Sequence, residues 1–308
     1  MKILFMGSAA FAVPSLDALV RSRHQVVEIV AQPDKPAGRG RHIHACPVAE
    51  FARSKGLALF QPTSVRKEES IEHFRSLAPD LLVIVAYGKI LPIEIISIPP
   101  RGSINVHASL LPKYRGAAPI NWAIANGEAE TGVTTMFISE ELDAGDILLA
   151  SSTPIGNEES AGELHDRLAC MGAALLMETI EGIENGELRA HPQDHSKATH
   201  APILKKEDGH IDWKMPAAAI ANRVRAFTPW PGTYTKIGDR TLRVHRAAVT
   251  QISHCGQPGT VIEARARLVI ACGKGALCID EVQIEGGRRM AAPDFLLGHK
   301  ITVGTKFS

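Results

Sequence analysis

Through the first half of the chain, short unbroken apolar runs alternate with stretches whose apolar residues recur every three or four positions. Unbroken runs of this length predict strands buried on both faces, and the longer recurrence predicts amphipathic helices. The strand runs fall at residues 2–6, 26–31, 57–60, 80–86, 104–107 and 132–138, and the helical stretches near 14–22, 47–55, 67–77 and 117–126. Pro14 and Pro47 stand where a first helical turn tolerates proline. Strand–helix alternation of this kind predicts an α/β domain built on a mostly parallel, doubly wound sheet covered on both faces. Residues 162–183 then predict one long helix, with an apolar stripe through Leu164, Leu168, Leu175 and Ile180.

The pattern changes at about residue 187. The segment from Glu187 to Ser196 is polar and lacks periodicity, and the stretch 190–208 is expected to link a first domain, 1–189, to a second, 209–308. Within the second domain, 217–226 predicts a helix. Short β-like runs with turn signals follow at 232–237, 241–248, 259–263, 267–272 and 276–284. That spacing predicts a small β-barrel, with Trp230 packed against it.

Composition narrows the class. A chain of 308 residues, 45% hydrophobic and 22% charged, is ordinary for a globular protein of two domains. The most strongly apolar run, residues 81–86, is far too short to span a membrane, and Met1-Lys2-Ile3-Leu4 runs straight into a strand with no leader pattern before it. Five cysteines, an odd number with no C-x-x-C pair, predict reduced thiols in the cytoplasm and no zinc site. The formal net charge of +1 hides an asymmetry. Residues 209–308 carry 14 lysines and arginines against 7 aspartates and glutamates, whereas residues 1–208 carry 20 against 26. On charge alone, a polyanion docking on the C-terminal third and a merely solvated basic surface are both open.

The first turn, Gly7-Ser8-Ala9-Ala10-Phe11-Ala12, lacks G-x-G-x-x-G, and no G-x-x-x-x-G-K-[ST] occurs anywhere. Dinucleotide and P-loop chemistry are therefore disfavoured. The informative run is residues 103–116. Asn105 and His107 stand two apart near the end of a predicted strand, so both side chains project from one face. An amide there could donate to a developing oxyanion, and an imidazole could exchange a proton near neutral pH. Asp143, after the next predicted strand, is the candidate carboxylate to orient the imidazole. On spacing alone two readings stand: an active constellation, or a turn-capping Asn beside a structural His.

The segment Asn105-Val106-His107-Ala108-Ser109-Leu110-Leu111-Pro112-Lys113-Tyr114-Arg115-Gly116-Ala117-Ala118-Pro119-Ile120 resembles the signature of the folate-dependent formyltransferases. The resemblance runs nearly the whole length. It extends through Gln32 to Arg41, Glu130 to Thr134 and Arg225 to Gly232, and is strongest to the branch that formylates aminoacylated initiator tRNA. It implies a Rossmann-like catalytic domain, an oligonucleotide-binding-like barrel behind it, and Asn105, His107 and Asp143 as the catalytic trio. The implied reaction moves the formyl group of 10-formyltetrahydrofolate to a free amino group through a tetrahedral intermediate, without a metal.

The same resemblance assigns the folate pocket to Tyr87, Gly88, Ile90 and Leu91 together with Ser109, Leu110, Leu111 and Pro112. It implies tRNA contacts from the basic, glycine-rich loop that holds Lys35, Arg39 and Arg41, and Arg223, Arg243 and Arg246 in the basic second domain are further candidates for tRNA contacts. A cytoplasmic monomer with no membrane partner is expected. Ser8 and Ala9 depart from the Thr and Pro usual in the family. Formyltransferases acting on amino sugars or on glycinamide ribonucleotide would share the trio. The basic loop and basic second domain favour tRNA over those small acceptors. A non-enzymatic RNA-binding module is the alternative from another class.

Overall fold

Seven strands make the first sheet, and their sequences account for its layout. They are β1 (Lys2–Gly7), β2 (Gln25–Val30), β3 (Leu59–Phe60), β4 (Leu81–Val85), β5 (Ser103–His107), β6 (Glu130–Phe137) and β7 (Ile147–Pro154), in spatial order β7-β6-β5-β4-β1-β2-β3. The computed structural model describes residues 1–37, 42–252 and 255–308. All five residues of the central strand β4, Leu-Leu-Val-Ile-Val, are buried, as a strand covered on both faces requires. Each contributes roughly 1.5–3 kcal/mol of burial. Pairings β3–β2, β2–β1, β1–β4 and β4–β5 are parallel, joined through helices that include α1 (Val13–Arg21), α2 (Pro47–Ser54) and α3 (Glu68–Leu77). The expected α/β class is thus the observed one.

The sheet reverses at one point. β6 runs antiparallel to β5, with Ile104 opposite Phe137 and His107 opposite Thr134. Hydrophobic pattern reports burial and not direction, so this reversal had no sequence signal. Among the elements also missed are an edge strand and a single-turn helix. β7 buries only Leu148 fully and otherwise alternates exposed or half-buried small residues, the profile of an edge strand. α4 (Ile93–Ile96) is a single turn behind Pro92. The predicted long helix is α6 (Ala161–Asn185) and the helix predicted at 117–126 is α5 (Pro119–Ala125).

The chain forms two compact units, and neither is continuous. The first comprises residues 1–119, 130–153 and 165–201, and the second 120–129, 154–164 and 202–308. The first unit therefore includes the polar stretch up to residue 201. Among the described residues no helix is long and apolar enough to cross a membrane.

The second unit holds an antiparallel sheet of β8 (Thr233–Ile237), β9 (Arg240–Thr250), β10 (Val261–Ala264), β11 (Leu268–Ala271) and β12 (Ala276–Ile284), in order β8-β9-β12-β11-β10. Residues 305–308 tie its two edges together. Phe307 N donates to Gly259 O (2.8 Å) and Val261 N to Thr305 O (2.9 Å), while Lys236 N donates to Ser308 O (2.7 Å). The core under the sheet includes Ile220 and Val224 of α7 (Ala217–Ala226), Phe295 of α8 (Ala292–Gly298), Trp213 and Phe307. Trp230 departs from expectation: it is 51% exposed, and Phe227 three residues earlier takes the fully buried place. Gly232 N donates back to Phe227 O (2.8 Å), a turn that leaves Trp230 at its outer bend.

Candidate active site

β5 ends on His107, and everything around that ring fixes it. The side chain is buried, and its Nε2 donates to Tyr114 O at 2.9 Å. A carbonyl only accepts, so Nε2 carries a proton and Nδ1 is the nitrogen left to exchange one. Nδ1 faces Asp143 Oδ2 at 3.6 Å, and the Asp143 side chain is itself almost fully buried. Asp143 Oδ2 also accepts from Gly116 N at 2.8 Å. Asn105 shares the strand face of His107 by alternation. Its half-exposed carboxamide makes no hydrogen bond to another described residue, so its N–H donors are available to an incoming group. The structure thus brings His107 and Asp143 into contact, as the sequence reading expected.

The loop after β5 is built to present that face. Ser109 Oγ donates to Lys113 O (2.6 Å), and Thr134 Oγ1 on β6 donates to Ser109 O (2.7 Å) while accepting from Leu111 N (3.2 Å). Ser109 is therefore wholly buried with its hydroxyl used inside the loop; Leu111 is buried, and Leu110 and Pro112 are half-buried. From behind, residues 199–201 brace the loop. Tyr114 N donates to Thr199 Oγ1 (2.9 Å) and Arg115 N to Thr199 O (2.8 Å), and Arg115–Gly116 pairs in parallel with His200–Ala201. Gly116 has φ +122°, and a Cβ there would come within 2.6 Å of Ala201 O, so only glycine allows this approach.

Two buried polar residues that the sequence reading passed over stand in the next layer. Arg115, 3% exposed, donates to Gln193 Oε1 through Nε (3.2 Å) and an amino group (2.7 Å). Gln193 lies in the stretch read as linker. A lone glutamine in a polar segment carries no local signal of burial; only its partners, 48 to 78 residues away, reveal it.

The residues assigned to a folate pocket follow β4. Tyr87 O accepts from Gln32 Nε2 (2.7 Å), Gly88 is exposed with φ +78°, Ile90 is 67% exposed, and Leu91 is buried against Ile95 and Ile96. An exposed isoleucine backed by packed apolar side chains is a fitting wall for a flat heterocycle. Ser8 keeps a hydroxyl at its family-atypical position, and its Oγ accepts from Gln32 N (3.1 Å).

Tyr87 itself is 1% exposed, and its hydroxyl has no hydrogen-bond partner among the described residues. Burial pushes that phenol up to about 12, so it stays protonated. An unpaired buried hydroxyl costs roughly 1–3 kcal/mol. Tyr87→Phe is accordingly expected to raise stability by about 1 kcal/mol in urea unfolding; a loss of stability would mean that the hydroxyl has a partner.

Of the residues assigned to tRNA, Lys35 is exposed and donates to Gln32 Oε1 (3.1 Å) from a short strand, Lys35–Ala37, that pairs with His42–His44. Arg39 and Arg41 lie outside the described residues. Arg223 on α7 sits 5.9 Å from the centre of the Phe227 ring. On β9, Arg243 is exposed and has no acidic partner among the described residues, whereas Arg246 is bridged to Glu158 (3.0 Å) and Asp280 (3.8 Å). Among the described residues no group of histidines, cysteines and carboxylates is placed to hold a metal ion.

Comparison with known proteins agrees in every segment. Residues 1–180 match the Formyl transferase family and residues 203–300 the Formyl transferase, C-terminal domain family. The methionyl-tRNA formyltransferase of Citrifermentans bemidjiense is 50% identical over 305 residues, covering 99% of this chain and 95% of that one. That of Caldanaerobacter subterraneus subsp. tengcongensis is 48% identical over 308 residues, covering 99% of each. Among solved structures, the N-formyltransferase from Helicobacter canadensis, in complex with folinic acid and dTDP-3-aminofucose, superposes with a TM-score of 0.67 at 18% identity, over 94% of this chain and all of that one. That likeness is one of fold. With both family domains matched and close relatives aligned from end to end, the chain belongs to the formyltransferase family.

Proposed function

We propose that this protein transfers the formyl group of 10-formyltetrahydrofolate to the free amino group of methionyl initiator tRNA in the cytoplasm, acting as a monomer at translation initiation. The observation that carries the reading is kinship at 48–50% identity, end to end through both units, with methionyl-tRNA formyltransferases. The geometry around His107 supports the chemistry.

In this reaction the amine lone pair attacks the formyl carbon. A new N–C bond forms, the bond from that carbon to folate N10 breaks, and one proton passes from the amine to N10. The negative charge on the formyl oxygen at the tetrahedral stage needs a donor already in place. The unengaged Asn105 carboxamide supplies one without having to break another bond. His107 Nδ1 and Asp143 make up the proton-handling pair. Their 3.6 Å separation is long for a hydrogen bond and is expected to tighten with both substrates bound. Ile90 and Leu91 would wall the pterin, and two large substrates held at one carbon supply much of the remaining rate by orientation.

The test is formyl transfer from 10-formyltetrahydrofolate to charged initiator and elongator methionine tRNAs in parallel. Transfer confined to the initiator is the expected result. Transfer only to an amino sugar or another small amine would overturn the reading. The basic loop gives a second check. Arg39→Ala is expected to raise KM for tRNA about tenfold or more and leave KM for folate within about twofold, since phosphate contacts serve only the polyanion. Equal losses on both substrates would remove Arg39 from the tRNA surface.

A further inference from the structure

The antiparallel pairing of β5 and β6 creates a problem that the site has to solve. His107 lies opposite Thr134, and Phe137, the last residue of β6, lies opposite Ile104. The chain leaves β6 three residues below His107, about 10 Å away along the strand. Residues 138–146 must then turn back to deliver the Asp143 carboxylate to the imidazole. Within the loop, Phe137 N donates to Asp146 O (2.9 Å), Ala144 N to Glu141 O (3.4 Å) and Ser139 Oγ to Glu141 O (2.9 Å), none of which engages Asp143. Asp143 takes φ +52°, a conformation side-chain-bearing residues seldom adopt. Glu141 is exposed. A Cβ on Gly145 would lie 1.9 Å from Phe137 O, so the loop has no side chain at its tightest point.

Side chains from outside the loop complete its support, Gln193 foremost. Gln193 is 6% exposed, and its Nε2 donates to both Asp143 O (2.9 Å) and Gly145 O (2.7 Å). Its Oε1 accepts two N–H groups from the buried Arg115 guanidinium. Two donors and two acceptor positions are all that a carboxamide has, and here all four are used. The cation on its oxygen draws electron density through the amide and makes the NH2 a stronger donor. Arg115 adds a bond to Glu141 Oε1 (3.3 Å), and the next residue, Gly116, donates its N–H to the Asp143 carboxylate. Gln193 is anchored in turn by His191, which exchanges two 2.8 Å backbone hydrogen bonds with Ile147 at the start of β7.

We infer that Gln193 is a positioning residue for the reaction: polarised by Arg115, it clamps the backbone on either side of Ala144 and so sets the distance from Asp143 to His107 Nδ1. It touches no reacting atom. The inference rests on the formyl-transfer reading for its kinetic expression, though not for its structural one.

Gln193→Glu separates the two halves of the clamp. A glutamate keeps an acceptor for Arg115 and turns an oxygen, in place of the NH2, towards the two loop carbonyls. Steady-state formyl transfer by the full-length variant is expected to show kcat reduced about 10–100-fold, the usual cost of losing a partner one step behind a reacting group, with KM for both substrates within about twofold. Adding Gln193→Glu to Asp143→Asn should cost less than about twofold more, because the two act through one element. The His107 ring resonances of the free protein should move in the same direction in Gln193→Glu as in Asp143→Asn. Wild-type kcat in Gln193→Glu, full additivity with Asp143→Asn, or unmoved ring resonances would each overturn the inference. A melting temperature for every variant separates misfolding from mispositioning. The NMR comparison uses no substrate, so a wild-type protein inactive towards tRNA would sink the proposed function and still leave the role of Gln193 decided.

Discussion

Asp143→Asn is expected to fold and to lose formyl transfer about 10²–10⁴-fold, the range that a positioned proton-transfer group contributes. The substitution is nearly isosteric. Asp143 Oδ2 accepts from Gly116 N, and an asparagine oxygen can accept the same N–H, so the loop keeps that contact. Gln193 grips the main chain at Asp143 and Gly145 and is indifferent to the side-chain change. What disappears is the negative charge 3.6 Å from His107 Nδ1. Since Nε2 is committed to Tyr114 O, Nδ1 has no other route by which to hand on a proton within the described site. The measurement is single-turnover transfer to methionyl initiator tRNA alongside a thermal melt. A variant that melts normally and retains more than a tenth of wild-type turnover would remove Asp143 from the chemistry.

The second large effect belongs to Asn105→Ala, expected to lower transfer about 10²–10³-fold, the cost of one oxyanion donor. Its interest lies in how little else it should disturb. Asn105 sits on a central strand with Ile84 and Met136 as neighbours in register, and its carboxamide makes no hydrogen bond to another described residue. Truncation leaves no orphaned partner, so stability is expected to change by less than about 1 kcal/mol. The loss should fall on kcat, with KM for folate and tRNA largely kept, because the interaction forms only as charge develops on the oxygen. A rise in KM with kcat preserved would turn Asn105 into a binding group, and near-normal values of both would remove its role.

How much of this was legible in the chain depended on whether the cause was local. β4 announces itself because five consecutive buried apolar residues have no other use. The shared face of Asn105 and His107 follows from a two-residue spacing in a strand, and the runs after residue 232 have the lengths and turns that barrels need. The reversal of β6 was hidden because the same alternation serves either direction. β7 was hidden by its small, half-exposed residues. Trp230 is exposed while the smaller Phe227, three residues earlier, is buried, and residue type alone does not tell which of two nearby aromatics goes inside. Gln193 and Thr199 were invisible for a different reason. Their work is done by hydrogen bonds to residues 48 to 85 positions away, and a polar segment looks the same whether its side chains face water or a buried guanidinium.

The way the second sheet is tied off has a consequence for its synthesis. Strands β8 to β12 can pair as each emerges from the ribosome, but β8 and the strand at the far end wait for residues 305–308 to join them. Until those four residues are free, both edges carry unspent N–H and C=O groups, the template on which a second nascent chain can add a strand. A chain stopped short of residue 305 would lose Phe307 from the core and leave that template permanently open. Residues 305–308 thus act as a latch on both edges of the sheet, closed only once synthesis has passed through them.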